Sequence, residues 1–203
     1  MKEFNIVIAG IGGQGSITLG YIIAQAAFLQ GYEVKTAELH GLAQRYGVVP
    51  CHVRFGESIH SSVVMEGEAN LIIALEPLEA LRACYYASKE SRTVFVVDSK
   101  RIPPLSVSVC GEPYASLNTI LKKLEEFGEK VFLVNASEKA KEITGTFVSS
   151  NVYLLGYAVG KGLIPLEKKF ILDGMKRVLS EKLFESNKKV FEEGEREGFH
   201  GKS

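Results

Sequence analysis

Cysteine is scarce in this sequence, which has three among its 203 residues: Cys51, Cys84 and Cys110. They form no C-x-x-C pair and their number is odd, so they do not indicate a disulfide framework, and they favour a reducing compartment. An iron–sulfur cluster needs several cysteine ligands, so we expect none in this chain. We predict instead that each cysteine is a small buried core residue, because free cysteine is readily buried.

Metal-ligand patterns are missing as well. The four histidines are His40, His52, His60 and His200, and no pair has the H-x-x-x-H spacing that is typical of a metal site. We therefore predict no metal site. His52 and His60 fall in two predicted strands and have no recognisable nucleophile near them, so we interpret them as half-exposed strand residues rather than catalytic groups.

Net charge and long apolar runs are absent too. Lys and Arg number 24, and Asp and Glu number 24, so the formal charge is zero and no nucleic-acid partner is expected. The apolar runs are shorter than the roughly 20 residues that a membrane-spanning helix needs. The N-terminal strand has no signal-peptide cleavage site, so we expect a cytoplasmic protein with no membrane partner.

Strand-like and helix-like patterns alternate along most of the chain. Short apolar runs predict strands, and longer amphipathic or alanine-rich segments predict helices. Two alternating segments, 51–56 and 59–64, predict an antiparallel hairpin that turns through Gly56, Glu57 and Ser58. The other predicted strands are 5–9, 32–39, 70–77, 93–99, 105–110 and 130–137, and the predicted helices are 17–29, 77–88, 115–128 and those after residue 149.

This pattern predicts an α/β fold, a three-layer α/β/α Rossmann-like domain with an inserted β-hairpin and a C-terminal helical extension. The length fits a single domain over residues 1–203, with 1–148 as the α/β part and 149–203 as a helical closure. The charged segment EEGEREGFHGKS at the end of the sequence is interpreted as a frayed, solvated terminus.

Four glycines, Gly10, Gly12, Gly13 and Gly15, lie between the first predicted strand and the first predicted helix. Their G-x-G-x-x-G spacing is typical of dinucleotide-binding turns, where missing Cβ atoms and helix N–H groups let a phosphate come close. The spacing alone is a weak signal, because the same loop serves many folds as a tight turn. Contact with a phosphate or nucleotide and a purely structural turn are both open at this point.

Further polar residues are expected near this loop. Glu38 lies 23 residues after Gly15, close to where dinucleotide-binding proteins present an acidic residue to the ribose hydroxyls. His40, Gln44 and Arg45 follow the second predicted strand, so we expect them at the carboxyl end of the sheet, where open α/β sheets bind ligands. No proton-transfer pair is recognisable downstream, so the isolated chain lacks the chemistry of an enzyme.

Several longer segments occur in order over nearly the whole chain: NIVIAGIGGQGSITLGYIIAQAA, AELHGLAQRYGVVPCHVRFG, EGEANLIIALEPLEALR, DSKRIPP and NVYLLGYA. Together they resemble the beta subunits of indolepyruvate ferredoxin oxidoreductases, which are equivalent to the gamma-type domain of the wider 2-oxoacid:ferredoxin oxidoreductase family. The HGLAQRYG and EPLEALR segments are much more specific than the glycine loop.

The resemblance implies a subunit that supports oxidative decarboxylation of aryl 2-oxoacids to acyl-coenzyme A, with electrons passing to ferredoxin. Thiamine diphosphate and the iron–sulfur clusters would belong to a large alpha subunit, and coenzyme A would be a co-substrate. This chain would have no catalytic residue and no tightly bound cofactor, and would be inactive alone. The residues facing the shared site would be Gly10, Gly12, Gly13, Gln14, Gly15, His40, Gln44 and Arg45.

Two other classes of function stay open on the sequence. One is a free-standing NAD(P)- or flavin-dependent oxidoreductase that uses the glycine loop and Glu38. The other is a nucleotide-sensing regulatory module without a reaction. A flavin spectrum, a nicotinamide titration, or a neighbouring reading frame for a thiamine-binding, cysteine-rich large subunit would separate these classes.

Overall fold

A mixed six-stranded sheet forms the centre of the molecule in the computed structural model, which describes residues 2–39, 47–104 and 113–200. Its strands are β1 (Glu3–Ala9), β2 (Glu33–Glu38), β3 (Cys51–Gly56), β4 (Leu71–Ala74), β5 (Val94–Asp98) and β6 (Lys130–Val134). The spatial order is β2-β3-β1-β4-β5-β6, and β1, β4, β5 and β6 pair in parallel. The predicted strand at 105–110 lies outside the described residues.

Helices follow most of the strands, as expected for a doubly wound sheet. In the described ranges they are α1 (Ser16–Leu29), α2 (Pro77–Ala83), α3 (Leu117–Phe127), α4 (Ala136–Thr144), α5 (Ser150–Gly160), α6 (Lys168–Val178) and α7 (Glu181–His200). A 3₁₀ turn over Cys84–Tyr86 extends α2. None of the helices in the described part of the chain combines the length and apolar character needed to cross a bilayer.

The sheet separates two hydrophobic cores, because alternate side chains of a strand point to opposite faces. Ile6 and Ile8 of β1 belong to a core that includes residues of α1 and of α4 to α7. Val7 and Ala9 belong to a second core, with residues of α2 and α3. The predicted three-layer α/β/α arrangement is therefore confirmed.

The predicted hairpin is wrong, although 51–56 is an antiparallel strand. β3 pairs with β1 on one side and with β2 on the other, so it has no free edge for residues 59–64. That segment instead crosses the face of the sheet and binds side chains of β3. The Arg54 guanidinium donates to the carbonyl oxygens of Ser61 and Val63 at 3.1 and 3.0 Å, and the Val64 amide donates to His52 Nδ1 at 3.0 Å.

The C-terminal segment is ordered helix through residue 200, so the prediction of a frayed end is wrong for the described residues. Two G-x-x-x-G pairs explain why. A Cβ built on Gly156 of α5 would lie 2.1 Å from the carbonyl oxygen of Phe191, and one built on Gly194 of α7 would lie 2.3 Å from that of Tyr153. The two helix backbones are therefore in direct contact, and both helices run in the same direction through that contact. The division of the chain at residue 149 stays a prediction.

Candidate functional site

A crevice of about 360 Å³ lies at the carboxyl ends of the parallel strands. It is next to the topological switch point between β1 and β4, where the chain first winds toward β2 and later toward β6. Open α/β sheets bind ligands at such points. Its lining residues come from three loops and two helix starts: Ile11, Gly12, Gly13, Gln14, Lys100, Ile102, Ser137, Phe147, Val148 and Ser150.

The glycine loop after β1 forms one wall of this crevice. Gly13 has a φ of 98° and Gly15 a φ of 78°, which are left-handed conformations that favour glycine. The Gly12 amide donates to the carbonyl oxygen of Gly47 at 2.9 Å, and the Val49 amide donates to that of Gly10 at 2.8 Å. The segment after residue 46 therefore runs antiparallel beside the loop and fixes its position.

Gln14 attaches the loop to the end of β4. Its Oε1 accepts from the Ile11 amide at 2.9 Å, and its Nε2 donates to the carbonyl oxygen of Leu75 at 2.8 Å. Both polar ends of the side chain thus have partners inside the chain, although Gln14 also lines the crevice. The structure gives Gln14 a role in holding the loop, and its contact with a ligand stays a prediction.

Asn151 supports the loop from α5, and the sequence did not single it out. Its Nδ2 donates to the carbonyl oxygen of Gly15 at 3.0 Å, which also accepts from the Leu19 amide at 3.0 Å. The two residues are 136 positions apart, so no local pattern links them. The only available signal was the position of Asn151 at the start of the NVYLLGYA segment.

The opposite wall is built around Asp98, which is fully buried. Its carboxylate accepts from the Ser137 amide at 3.3 Å, from the Ser137 hydroxyl and from the Lys100 amide at 3.3 Å. Burial raises the pKa of Asp98, and the hydrogen bonds from Ser137 and Lys100 partly oppose that increase. The carboxylate therefore joins the end of β5 to the first turn of α4.

Glu76, which is also buried, holds the loop after β5 against the end of β4. Its carboxylate caps α2 by accepting from the Leu78 amide at 2.6 Å and the Glu79 amide at 3.1 Å. It also accepts from the Ile102 amide at 3.1 Å and from the Tyr114 hydroxyl. Glu76 is the first of the two glutamates in the EPLEALR segment, so part of that segment's specificity has a structural cause.

Lys100 lies at the mouth of the crevice with its Nζ 2.7 Å from the centroid of the Phe147 ring. Lys141 approaches the same ring, with its Nζ at 4.9 Å. Lys100, Phe147 and Lys141 were not among the predicted site residues. Lys100 occurs in the DSKRIPP segment, but Lys141 is on α4 and Phe147 is in the loop after α4, and neither belongs to a recognisable motif.

Of the predicted site residues, the structure brings together those of the glycine loop. His40, Gln44 and Arg45 lie outside the described residues, so their place at the site stays a prediction. Glu38 ends β2, which is separated from β1 by β3. Adjacent strands are about 4.8 Å apart, so β2 lies roughly 10 Å from β1, which is one strand further than the acidic strand of a Rossmann dinucleotide site. Its carboxylate instead accepts a hydrogen bond from Tyr21.

The cysteines and histidines discussed from the sequence do not form a functional site in the described residues. Cys51 and Cys84 are buried, as predicted, and Cys110 lies outside the described residues. His52 is fully buried rather than half-exposed, and burial together with the charge of Arg54 lowers its pKa to about 4. His60 is exposed and is not in a strand. In the described ranges, no group of three His, Cys, Asp or Glu side chains could hold a metal ion.

The sequence is similar to one protein family and to named members of it. Residues 5–197 match the family described as Pyruvate ferredoxin/flavodoxin oxidoreductase. The chain is 38% identical to the indolepyruvate oxidoreductase subunit IorB of Thermococcus kodakarensis, covering 96% of this chain and 95% of that protein. It is 35% identical to the IorB subunit of Archaeoglobus fulgidus, covering 98% of both chains.

Solved structures have the same fold. The gamma subunit of a keto/oxoacid ferredoxin oxidoreductase from Geobacter sulfurreducens aligns with a TM-score of 0.70 at 21% identity, covering 98% of this chain and 99% of that chain. A 2-oxoglutarate:ferredoxin oxidoreductase from Magnetococcus marinus, solved with 2-oxoglutarate, coenzyme A and succinyl-CoA, also aligns with a TM-score of 0.70 at 20% identity. The match covers 98% of this chain and 31% of that longer chain.

Proposed function

This chain belongs to the Pyruvate ferredoxin/flavodoxin oxidoreductase family, and on that premise we propose that it is the IorB-type subunit of an indolepyruvate ferredoxin oxidoreductase. The complex oxidatively decarboxylates aryl 2-oxoacids such as indolepyruvate, forms acyl-coenzyme A and passes electrons to ferredoxin. Relatives named IorB match the chain over nearly their whole length, which supports the assignment to that subunit.

The observation that carries the proposal for the site is the crevice beside the switch point. Three parts of the chain distant in sequence form it, and the side-chain hydrogen bonds of Gln14, Asp98 and Glu76 hold them in place. A crevice held in a fixed shape in this way could form one side of an active site that two subunits share. We propose that the glycine loop, with His40, Gln44 and Arg45, takes the phosphate-bearing part of coenzyme A or closes over the thiamine diphosphate.

The proposal places thiamine diphosphate and the iron–sulfur clusters in a large alpha subunit. There, thiamine diphosphate supplies the decarboxylation chemistry when it is bound. Cys51 and Cys84 of this chain do not fit a common cluster, because they belong to hydrophobic cores on opposite faces of the sheet. The role of this chain is to bind and orient the co-substrate and to keep water out of the shared site.

A free-standing NAD(P)- or flavin-dependent enzyme is less consistent with the strand order. A Rossmann dinucleotide site needs the acidic residue at the end of the strand next to β1. In this chain that neighbour is β3, which runs antiparallel, and Glu38 is one strand further away. Within the described residues, the glycine loop therefore lacks the acidic ribose partner that the alternative requires.

Reconstitution tests the proposed function. The chain alone, the large subunit alone and the assembled pair are assayed for indolepyruvate-dependent reduction of ferredoxin in the presence of coenzyme A. We expect activity in the pair and none in this chain alone. Turnover by the chain alone, bound flavin in its absorbance spectrum, or tight nicotinamide binding would support the free-standing enzyme instead. Failure of the subunits to associate would support a separate regulatory module.

The role of the loop has its own test. Gly12→Val places a branched side chain where Gly12 lines the crevice, so we expect a lower rate from the assembled pair. Activity is compared after subunit association and thermal unfolding have been measured. A variant that folds, assembles and runs at the parental rate would make the loop a structural turn only.

A further inference from the structure

We propose that Lys100 and Lys141, which flank the Phe147 ring, bind the phosphate groups of coenzyme A at the mouth of the crevice. The inference rests on the proposed function, because coenzyme A is the phosphate-bearing substrate of that reaction. It extends the site beyond the glycine loop to Lys100, which follows β5, and to Lys141, which lies on α4.

Among the described residues, Lys100 has no carboxylate as a direct counter-ion. Its side chain is partly buried, and no carboxylate in the described part of the chain forms an ion pair with Lys100 or Lys141. The partner of both ammonium groups is a single phenyl ring, at 2.7 and 4.9 Å. Two cations that share one ring repel each other, and a bound anion between them would relieve that repulsion.

Two nearby carboxylates attract the Lys100 ammonium group without forming an ion pair with it. Asp98 is committed to Ser137 and to the backbone of Lys100, and Glu138 contributes only a longer-range attraction. Burial lowers the pKa of Lys100 despite those two carboxylates, and the charge of Lys141 lowers it further. A phosphate group would add a negative charge in direct contact with the two ammonium groups.

The rest of the crevice fits the same ligand. Ser150 lies in the first turn of α5, whose positive dipole end favours an anion, whereas the first turn of α4 already holds the Asp98 carboxylate through Ser137. Ile102, Phe147 and Val148 provide apolar surface at the same opening, and Phe147 and Val148 are 37% and 69% exposed. Positive charge beside exposed apolar and aromatic side chains suits a nucleotide with phosphates better than a simple inorganic ion.

The test measures equilibrium binding to the assembled complex by titration calorimetry in the absence of 2-oxoacid. Three probes are used: coenzyme A, pyrophosphate, and pantetheine, which has the thiol arm but no phosphate. We expect Lys100→Met to weaken coenzyme A and pyrophosphate by about tenfold or more, as the loss of a charge-assisted contact predicts. Pantetheine binding should not change, and Lys100→Arg should keep part of the affinity for coenzyme A.

Lys176→Met is the matched control. Lys176 also has its Nζ over an aromatic ring, Phe184, at 5.4 Å, but it lies on α6 and does not line the crevice. We expect this variant to bind all three probes like the parent. Lys141→Met provides a second variant, with an expected loss in the same direction, if Lys100→Met lowers the thermal midpoint of the complex.

The result that overturns the inference is unchanged coenzyme A affinity in both lysine variants, or an equal loss for pantetheine. A loss for pyrophosphate without one for coenzyme A would make the cluster a site for free phosphate instead. Because binding is read without turnover, a complex that binds coenzyme A but does not oxidise indolepyruvate would contradict the proposed function and not this site.

Discussion

The glycines of the loop after β1 and those of helices α5 and α7 differ in what a side chain would meet. At Gly13 the φ angle is 98°, and an added Cβ would have no atom within 4 Å. At Gly156 the backbone is helical, and an added Cβ would lie 2.1 Å from the carbonyl oxygen of Phe191. At Gly13 the positive φ angle favours glycine. At Gly156 glycine is needed because the backbones of α5 and α7 lie too close together for a side chain.

The difference explains why one region was readable as a motif and the other was not. The loop has a spacing that belongs to a known kind of turn, and the strand before it and the helix after it support the interpretation. The glycines of α7 stand in a charged, polar segment, where glycine suggests a weak helix. Their function depends on Gly156 and Gly160, which come from a separate segment, and only the packed helices bring the two pairs together.

The largest effect is expected for Gly156→Ala. In an isolated helix this change stabilises by about 1 kcal/mol, because alanine is the better helix former. Here the new methyl group would overlap the backbone of α7, so the two helices would have to separate and lose packing contacts. We expect a net loss of about 3 kcal/mol or more in the free energy of unfolding, measured with urea.

Gly194→Ala is the reciprocal variant, since an added Cβ there would lie 2.3 Å from the carbonyl oxygen of Tyr153. A similar loss is expected from it. Stabilisation by either alanine would contradict direct backbone contact between α5 and α7, because helix propensity alone would then determine the outcome.

An intermediate effect is expected for Gly15→Ala, where both causes act. The φ of 78° costs alanine about 1 to 2 kcal/mol, and the added Cβ would lie 2.5 Å from Asn151 Nδ2. The Asn151 side chain can move, but it then loses its hydrogen bond to the carbonyl oxygen of Gly15, which adds about 1 kcal/mol. The total loss in unfolding free energy should be about 2 to 3 kcal/mol.

A double-mutant cycle with Asn151→Ala separates the two causes. Once the amide is gone, Gly15→Ala should cost only the conformational part, so the two losses should sum to more than the loss in the double variant. Strict additivity would show that the contact with Asn151 contributes nothing and that conformation alone selects glycine at this position.

The layers of the fold could be predicted from the sequence, but the strand order and the supports of the site could not, and the reason is physical. Periodicity indicates which face of a strand is buried, and it correctly predicted the three layers and the position of the glycine loop. It cannot indicate strand order, so 51–56 was given the wrong partner. The supports of the crevice, Asn151 and Glu76, are buried polar groups with partners far away in sequence, and such pairing leaves no periodic pattern.

The smallest effect on stability is expected for Gly13→Ala, which isolates conformation. No described atom would be nearer than 4 Å to the new Cβ, so the packing of the loop should not change. The positive φ should cost about 1 to 2 kcal/mol in the free energy of unfolding, and that loss should be the same in an Asn151→Ala background.

Because Gly13 lines the crevice, the same methyl group also reduces the space for a ligand. We therefore expect a small shift in the urea midpoint together with a clear rise in the KM for coenzyme A in the assembled complex. Gly31→Ala is the control, since its φ is 93°, its Cβ would also meet nothing within 4 Å, and it lies away from the crevice. If the two variants lose similar stability and only Gly13→Ala raises the KM, the glycine loop contacts the co-substrate, whereas equal KM values would leave Gly13 with a conformational role alone.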